Sequence, residues 1–264
     1  MNRNTFKIRL VMGLAVAAFA VFSYYSNTQV NPVTGEKQHI TLSTEQEIAM
    51  GLSSRDPMAQ EFGGFYPDPK VQNLIKAIGN KLVQSTEAGK TPYKFEFHVL
   101  SDPNTVNAFA LPGGQIFITV GLLKRLETED AIAGVLGHEI GHVVGRHSAE
   151  HMAKQQLTQG LVNATMVATY DPSNPNSTAA MAQFIGNMVN MKYGREDELE
   201  SDQFGVKYMH QSGYNPESLI DVMKVLEEAS GGQRQSEFMS SHPSPENRVA
   251  EIRKAIAQLK KTPQ

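Results

Sequence analysis

The segment at residues 138–142 (HEIGH) constrains this chain more than any other part of the sequence. Two imidazoles four residues apart share one face of a helix, where they can bind a single metal ion. Residues 131–137 before it are all apolar or glycine, which predicts that the helix is buried. Burying two histidines and a glutamate is costly unless something satisfies them. The pattern therefore predicts a zinc site at His138 and His142, with Glu139 activating an attacking water bound to the zinc.

A third protein ligand must come from elsewhere in the chain, because a catalytic zinc holds three protein ligands and keeps one position open. Residues 195–202 (REDELESD) supply the densest run of carboxylates, and apolar residues follow at once, so one face of this predicted helix is buried. On spacing alone, most of the run could instead be a solvated charged face. Glu198 and Asp202 lie one turn apart on one face. Either of them can bind the ion while the other orients a ligating imidazole.

The rest of the chain predicts an α+β fold that is mostly helical, with a small sheet near its start. Strand patterns are confined to residues 93–100, 109–111 and 115–120. Two helices are predicted before these strands: a short one capped by Ser43 and an amphipathic one that begins after Asp68. Helices are predicted over 128–145, 149–168, 178–193, 195–211, 216–229 and 245–259. We expect residues 37–264 to form this domain after a turn-rich linker at 26–36.

Residues 1–25 predict a signal peptide or a membrane anchor. Arg3, Lys7 and Arg9 precede an apolar run at residues 10–22, a pattern typical of secretory signals. The run is shorter than the roughly 20 residues that span a bilayer comfortably. We expect an exported, periplasmic protein, with this segment either cleaved or, our preference, kept as an anchor in the inner membrane. A buried N-terminal helix is the remaining alternative.

Composition excludes several other classes of protein. The 264 residues carry a formal net charge of -3 with a pI of about 6.2, so no excess of basic residues indicates a nucleic-acid partner. The chain has no cysteine, which excludes disulfides, thiolate metal ligands and a lipid-modified N-terminal cysteine. With 40% hydrophobic residues, the chain has ample material for a core.

These motifs together resemble peptidase family M48, which includes HtpX-type and CAAX-prenyl-protease-type zinc metallopeptidases. The resemblance begins near Asn31 and is carried by residues 31–36 (NPVTGE), 107–114 (NAFALPGG), 138–147, 195–202 and 241–248. It implies a zincin-type domain that holds one Zn²⁺ per chain. It also implies that Glu198 is the third zinc ligand and that Asp202 supports the site. Family members often have alanine before that aspartate, whereas this chain has Ser201.

Three further parts of the site depend mainly on the resemblance. His242 either stabilises the tetrahedral oxyanion or acts as an inhibitory fourth ligand; the alternative is a loop histidine that caps a turn. Arg248 either adds positive charge near the oxyanion or is a surface arginine. The segment containing Asn107, Phe109 and Ala110 is expected to form the sheet edge on which a substrate adds as an extended strand.

His147 and His151 are also four residues apart, a spacing that permits a second metal site. The sequence assigns no carboxylate to them, so we interpret this pair as packing or a polar network. We interpret His39, His98 and His210 as structural residues.

The function we expect is that of a zinc metalloendopeptidase in cell-envelope protein quality control, cleaving unfolded or misassembled envelope proteins. Its N-terminal segment would contact the membrane, and no nucleic acid would bind. One alternative is a chaperone-like assembly factor whose proteolytic activity is held latent by His242. Another is a zinc hydrolase of non-peptide substrates, which the edge-strand region disfavours.

Overall fold

The computed structural model describes residues 3–169, 193–231, 237–242 and 247–259. The chain divides into two compact units, Met1–Leu42 with Ala149–Met191 and Ser43–Ser148 with Lys192–Gln264. The predicted fold class, a mostly helical α+β domain with small sheets, is confirmed. Apart from Tyr193, the helix predicted over 178–193 lies outside the described residues. The predicted domain boundaries at 26–36 and 37–264 stay a prediction.

The first unit contains a β-hairpin between two long helices. Its described elements are α1 (Arg3–Ser26), β1 (Thr28–Val30), β2 (Lys37–His39) and nearly all of α6 (His147–Thr169). The strands pair antiparallel, and the Asn31 side chain accepts hydrogen bonds from the backbone of Val33 and Thr34 at 2.9 and 3.2 Å. The turn predicted within the linker is therefore present, but it connects the two strands of a hairpin. Asn31 stabilises this turn by accepting hydrogen bonds from its N–H groups.

Helix α1 packs on α6 through small residues. A Cβ at Gly13 would lie 2.7 Å from the Ala164 carbonyl oxygen, and one at Gly160 would lie 2.5 Å from the Ala20 Cβ. The helices thus touch at a distance that only glycine allows at these two positions. Elsewhere α1 exposes large apolar side chains, among them Phe6, Ile8, Val11, Leu14, Phe19 and Phe22.

Residues Thr5–Ser26 are long and apolar enough to cross a membrane, because the helix extends beyond the apolar run on both sides. Only 11% of the most apolar window is buried. The described residues therefore do not support the alternative of a buried N-terminal helix.

The second unit carries the remaining described elements: α2 (Thr44–Glu61), α3 (Pro69–Gln84), a 3-10 turn (Glu87–Lys90), β3 (Glu96–Leu100), β4 (Ala108–Leu111), β5 (Gln115–Thr119), α4 (Val120–Leu123), α5 (Glu129–Val144), α7 (Arg195–Gln211), α8 (Ser218–Ser230), α9 (Glu237–Ser241) and α10 (Arg248–Leu259). Ser43 caps α2 and Asp68 caps α3, as their sequences predict. Helix α2 is longer than expected and includes Pro57. Its last turns continue because Ala59 packs against Phe62 and Phe117 in a buried cluster.

The three-stranded sheet has the order β3-β5-β4. Strand β3 runs parallel to β5, while β4 runs antiparallel to β5 with Ala108 opposite Ile118. Gly113 and Gly114 adopt φ values of 82° and 106° in the turn between β4 and β5, which only glycine tolerates easily. Among the described strands β4 pairs only with β5, so it is an edge strand of this sheet.

Helices α5 and α7 approach each other unusually closely. A Cβ at Gly137 would lie 3.2 Å from the Gly205 Cα, and one at Gly141 would lie 3.0 Å from the Ser201 Cα. Small residues four apart on each helix therefore form the contact surface. This close approach brings the acidic side chains of α7 to the histidines of α5.

A left-handed residue ends the last turn of α5. Arg146 has φ 58°, the only positive φ outside glycine among the described residues. Its guanidinium is buried and pairs with Glu47 of α2, with Nε 3.0 Å from Oε1. The Tyr93 hydroxyl donates to the other Glu47 oxygen at 3.1 Å. This buried ion pair holds the turn that directs the chain from α5 into α6.

Candidate metal centre

The two histidines of α5 point at one spot inside the protein. Thr128 caps the helix by accepting a hydrogen bond from the Ala131 N–H at 3.1 Å, and every residue from Ala131 to Val144 is buried. The Nε2 atoms of His138 and His142 lie 3.0 Å apart. Two imidazole nitrogens directed at a common point are the arrangement that the helical spacing predicts.

Helix α7 brings Glu198 to the same spot. Its Oε1 lies 3.4 Å from His142 Nε2, and its Oε2 lies 3.5 Å from His138 Nε2. Asp202 lies behind the first histidine instead, with Oδ1 2.9 Å from His138 Nδ1. Spacing alone left open which carboxylate faces the ion; the structure brings Glu198 to the Nε2 atoms and Asp202 to the far side of His138.

His242, just after α9, completes the cluster. Its Nδ1 lies 2.9 Å from Glu198 Oε1 and 3.4 Å from His138 Nε2. Ligand atoms of His138, His142, Glu198 and His242 all lie within 4.8 Å of one another. His242 is 1% exposed and its ring contacts Glu198 and His138, so the structure does not support the alternative of a turn-capping loop histidine.

Burial and charge prepare these groups to bind a cation. Burial lowers the pKa of His142 well below its usual value, so its imidazole is neutral. Burial by itself raises the pKa of Glu198, but His242 and His142 hold this pKa well below its usual value. A neutral imidazole and an ionised carboxylate are the forms that bind a metal ion.

Several buried atoms at the cluster have no hydrogen-bond partner among the described residues. They are both carboxylate oxygens of Glu139, Glu198 Oε2, His242 Nε2 and Arg248 Nη1. Buried polar atoms without partners are rare in folded proteins and indicate an ion, a water or a ligand. The donor set of imidazoles and carboxylate therefore fits a divalent metal ion.

Arg248, the first residue of α10, is 1% exposed and lies behind the cluster. Its Nε and Nη2 donate to the two oxygens of Asp202 at 2.6 and 2.9 Å, and its Nη1 lies 3.2 Å from Glu198 Oε2. Although burial raises the pKa of Asp202, this guanidinium lowers it below the usual value. The alternative of a surface arginine is wrong: Arg248 is a buried cation that orients both carboxylates.

Two aromatic residues that sequence reasoning missed also contact the cluster. The Tyr193 ring stacks on His142 with centroids 4.3 Å apart, and its hydroxyl hydrogen-bonds Ser148 at 2.7 Å. Phe238 stacks on His242 at 4.5 Å. No motif marks either residue, since a single aromatic residue beside a loop or in a short helix most often serves only to fill the core.

The polar network predicted around His147 is present, but its composition was not foreseen. His147 contacts both His142 and Glu200. The sequence assigned no carboxylate to His147, and this was wrong. Glu200 is one of several acidic residues in the run at the start of α7. Which of them contacts His147 depends on how the helices pack, and the sequence does not show this.

The expected substrate segment forms the edge strand β4 and the residue before it. The side chains of Asn107 and Ala110 are buried, and Phe109 stacks on Phe117 at 4.9 Å. In the described contacts, none of these three side chains reaches the histidine cluster. The α9 segment touches this edge, because Phe238 N–H donates to the carbonyl of Val106 at 3.2 Å.

A buried helix with two histidines one turn apart, crossed by a helix with a carboxylate, defines a zincin-type metallopeptidase domain in this α+β fold. Residues 69–256 match the sequence profile of Peptidase family M48, and the chain belongs to this family.

Curated relatives include the beta-barrel assembly-enhancing protease of Escherichia coli strain K12, which is 28% identical over 95% of this chain and 51% of its own length. The mitochondrial metalloendopeptidase OMA1 of Schizosaccharomyces pombe is 28% identical over 98% of this chain and 76% of its own. The mitochondrial metalloendopeptidase OMA1 of Bos taurus is 26% identical over 99% and 52%. The chain thus spans about half the length of the bacterial relative.

Proposed function

We propose that this protein is a zinc metalloendopeptidase that hydrolyses peptide bonds in unfolded or misassembled cell-envelope proteins. The observation that carries the proposal is that His138, His142 and Glu198 converge at one buried point. The carboxylate of Glu139 lies beside them and has no hydrogen-bond partner among the described residues. Two imidazoles and one carboxylate form a known donor set for a catalytic zinc, so one Zn²⁺ per chain is the cofactor we assign. The relatives are named as a beta-barrel assembly-enhancing protease and a mitochondrial metalloendopeptidase. These names support the proposal that the substrates are proteins.

Glu139 is the general base in this proposal. When bound, the ion supplies Lewis-acid polarisation of a water and of the scissile carbonyl. Burial raises the pKa of Glu139, which brings its carboxylate closer to the range in which a base both accepts and returns a proton near neutral pH. Glu139 takes the proton of the attacking water and passes it to the leaving amine.

Residues behind the cluster hold the ligands in place. Asp202 accepts the Nδ1 proton of His138, which leaves the Nε2 lone pair free for the ion. Arg248 fixes Asp202 through two hydrogen bonds and places positive charge near Glu198. The role of Arg248 at a developing oxyanion is part of the same proposal.

The substrate is proposed to bind as an added strand along β4. Asn107, Phe109 and Ala110 belong to this segment; Asn107 and Ala110 are buried, and Phe109 stacks on Phe117. Recognition would use the backbone of β4, since main-chain hydrogen bonds provide affinity without strict demands on sequence. Such recognition suits an enzyme that acts on many unfolded chains.

His242 has two candidate roles. In this structure its Nδ1 lies among the ligand atoms, which favours an inhibitory fourth ligand. Its Nε2 lies 3.8 Å from Glu139 Oε1, where the ring could instead donate a hydrogen bond to the oxyanion after a small shift. The inhibitory role favours the alternative function, an envelope assembly factor with latent protease activity.

Metal removal tests the proposed activity. We expect the full chain to cleave casein, an unfolded substrate, and to lose this cleavage after dialysis against a chelator. One equivalent of Zn²⁺ should restore it, because the ion is required for chemistry. Mg²⁺, which prefers oxygen ligands, should not restore it. Casein cleavage that persists in the metal-free protein would contradict the proposal.

The same assay on His242→Ala separates the two roles of this residue. A rise in cleavage indicates an inhibitory ligand, and a fall indicates an oxyanion stabiliser. An inactive wild type that becomes active through this substitution would favour the assembly factor with latent activity. Wild type and variant that are both inactive with zinc present would contradict the peptidase function.

We further propose that α1 is kept in the mature protein as an anchor in the inner membrane, with the rest of the chain in the periplasm. Gly13 and Gly160 fit the facing helix so closely that α1 is part of the first unit, whereas a cleaved signal needs no fitted partner. The exposed apolar side chains of α1 suit contact with lipid.

Intact mass and cell fractionation test this anchor. We expect the purified protein to retain residues 1–25 and to stay with membranes after alkaline carbonate washing. Gly160→Leu should destabilise the first unit by about 1–3 kcal/mol through overpacking, seen as faster limited proteolysis. The control Val11→Leu changes an exposed position on α1 and should have no effect. A mature N-terminus beyond residue 20 in the membrane-free fraction would contradict the proposal.

A further inference from the structure

A second imidazole stands behind His142. His147, the first residue of α6, is 2% exposed, and its Nδ1 lies 2.9 Å from the Nδ1 of His142. On the other side of its ring, Nε2 lies 2.8 Å from Glu200 Oε2 on α7. Three side chains are therefore connected in the order His142, His147, Glu200.

Proton positions along this chain follow from the chemistry of imidazole. Two facing Nδ1 atoms at 2.9 Å share one proton, which belongs to one ring or the other. Glu200 accepts a hydrogen bond from His147 Nε2, and an imidazole that carries its single proton on Nε2 is an acceptor at Nδ1. The Nδ1 of His147 is then an acceptor, and His142 must donate from Nδ1. The Nε2 of His142, which faces the ligand cluster, is left with its lone pair.

Ser201 supports the same arrangement. Its Oγ lies 3.3 Å from His147 Nδ1, where the hydroxyl can share the single lone pair of this acceptor nitrogen with the His142 N–H. Ser201 also keeps the small size that the close contact with Gly141 requires.

The Nδ1 atoms of the two candidate ligand histidines are thus connected to carboxylates in different ways. His138 donates directly to Asp202, which Arg248 holds. On its Nδ1 side, His142 is connected to a carboxylate, that of Glu200, through His147. Outer hydrogen bonds of this kind fix the tautomer and ring orientation of metal-binding histidines.

We infer that His147 and Glu200 are positioning residues that hold His142 in the tautomer and orientation needed to bind the metal ion. The inference rests on the proposed function, since it requires His142 to be a ligand. Glu200 acts through His147 and touches neither the ion nor the substrate. The first residue of α6 is therefore part of the catalytic apparatus rather than only the start of a helix.

Zinc affinity measured by competition with a chromophoric chelator tests the inference on the full chain. Glu200→Ala should weaken zinc binding by about 10–100-fold, the usual effect of removing an outer hydrogen-bond partner. Glu200→Gln should recover most of the affinity, because its amide oxygen still accepts from His147 Nε2. Glu196→Ala, at an exposed position of the same helix, is the matched control and should bind zinc as wild type does.

Nitrogen-15 NMR of the imidazoles gives a readout that a purely structural role would not change. In zinc-loaded wild type at fixed pH, we expect the proton of His142 on Nδ1. In Glu200→Ala we expect a changed His142 signal, with the unfolding temperature of the metal-free protein within a few degrees of wild type.

The possible failures are distinguishable. Wild type that binds zinc, together with Glu200→Ala and His147→Leu variants of unchanged affinity and unchanged His142 signal, would overturn the inference alone. Wild type that binds no zinc would overturn the proposed metal centre as well. Weakened binding without recovery in Glu200→Gln, accompanied by a lowered unfolding temperature, would make Glu200 a stability residue and also overturn the inference.

Discussion

Replacing Glu139 by glutamine is expected to lower kcat/KM for casein cleavage by about 10²–10⁴-fold, the usual contribution of a general base. Glutamine has nearly the shape of glutamate but cannot accept a proton from water. Both oxygens of Glu139 are buried and lack hydrogen-bond partners among the described residues, so the substitution breaks no hydrogen bond in this part of the chain. The variant should therefore fold normally and keep its zinc.

The control for this substitution is Glu129→Gln, in the exposed first turn of the same helix, which should keep wild-type activity. Metal content and the unfolding temperature should be measured beside the rate. An active Glu139→Gln variant would assign the proton transfer to another group and leave Glu139 without a catalytic role.

Removing the carboxylate of Glu198 is expected to have the largest effect on metal binding. Purified wild type should carry about one zinc per chain, as a structural or catalytic site of this donor type does. Glu198→Ala removes a ligand rather than an outer partner, so its zinc affinity should fall by more than about 100-fold. Elemental analysis after dialysis measures the zinc retained.

Glu198→Ala also removes one ionic neighbour of Arg248 and one of His242, so circular dichroism must show that the variant folds. Glu198→Gln, which keeps the volume and one acceptor oxygen, is the second variant if alanine prevents folding. Full zinc retention in both variants would mean that His242, rather than Glu198, is the third ligand.

The sequence predicted local structure well at the centre of the site. The bounds of α7 match the prediction, and α5 differs by one residue at each end. The reason is physical: a cap at Thr128, a continuous apolar run and helical spacing all specify the same helix. Local rules also predicted that His138 and His142 share one face.

Rules for capping, apolar runs and helical spacing could not predict contacts between segments that are distant in the sequence. The choice between Glu198 and Asp202 depends on how closely two helices cross, which the small residues at 137, 141, 201 and 205 determine only as a set. The burial of Arg248 likewise depends on where α10 packs. Its sequence context allowed either a surface or a buried position, and only the pairing with Asp202 makes burial tolerable.

The hairpin in the first unit shows a different limit. Asn, Pro, Thr and Gly in residues 31–35 correctly predicted a turn, yet the strands on either side are three residues each. Segments this short carry too little alternation to be recognised as strands. Hydrogen bonds to Asn31, rather than strand propensity, bring them together.

The buried ion pair between Arg146 and Glu47 should couple the unfolding of α2 to that of α5. If α2 detached while α5 stayed folded, the Arg146 guanidinium would lose its ion pair with Glu47, and breaking a buried pair of this kind costs about 3–5 kcal/mol. The same guanidinium belongs to the left-handed turn that positions His147. Partial unfolding that starts at α2 should therefore spread to α5, and the two segments should exchange their amide protons as one cooperative unit.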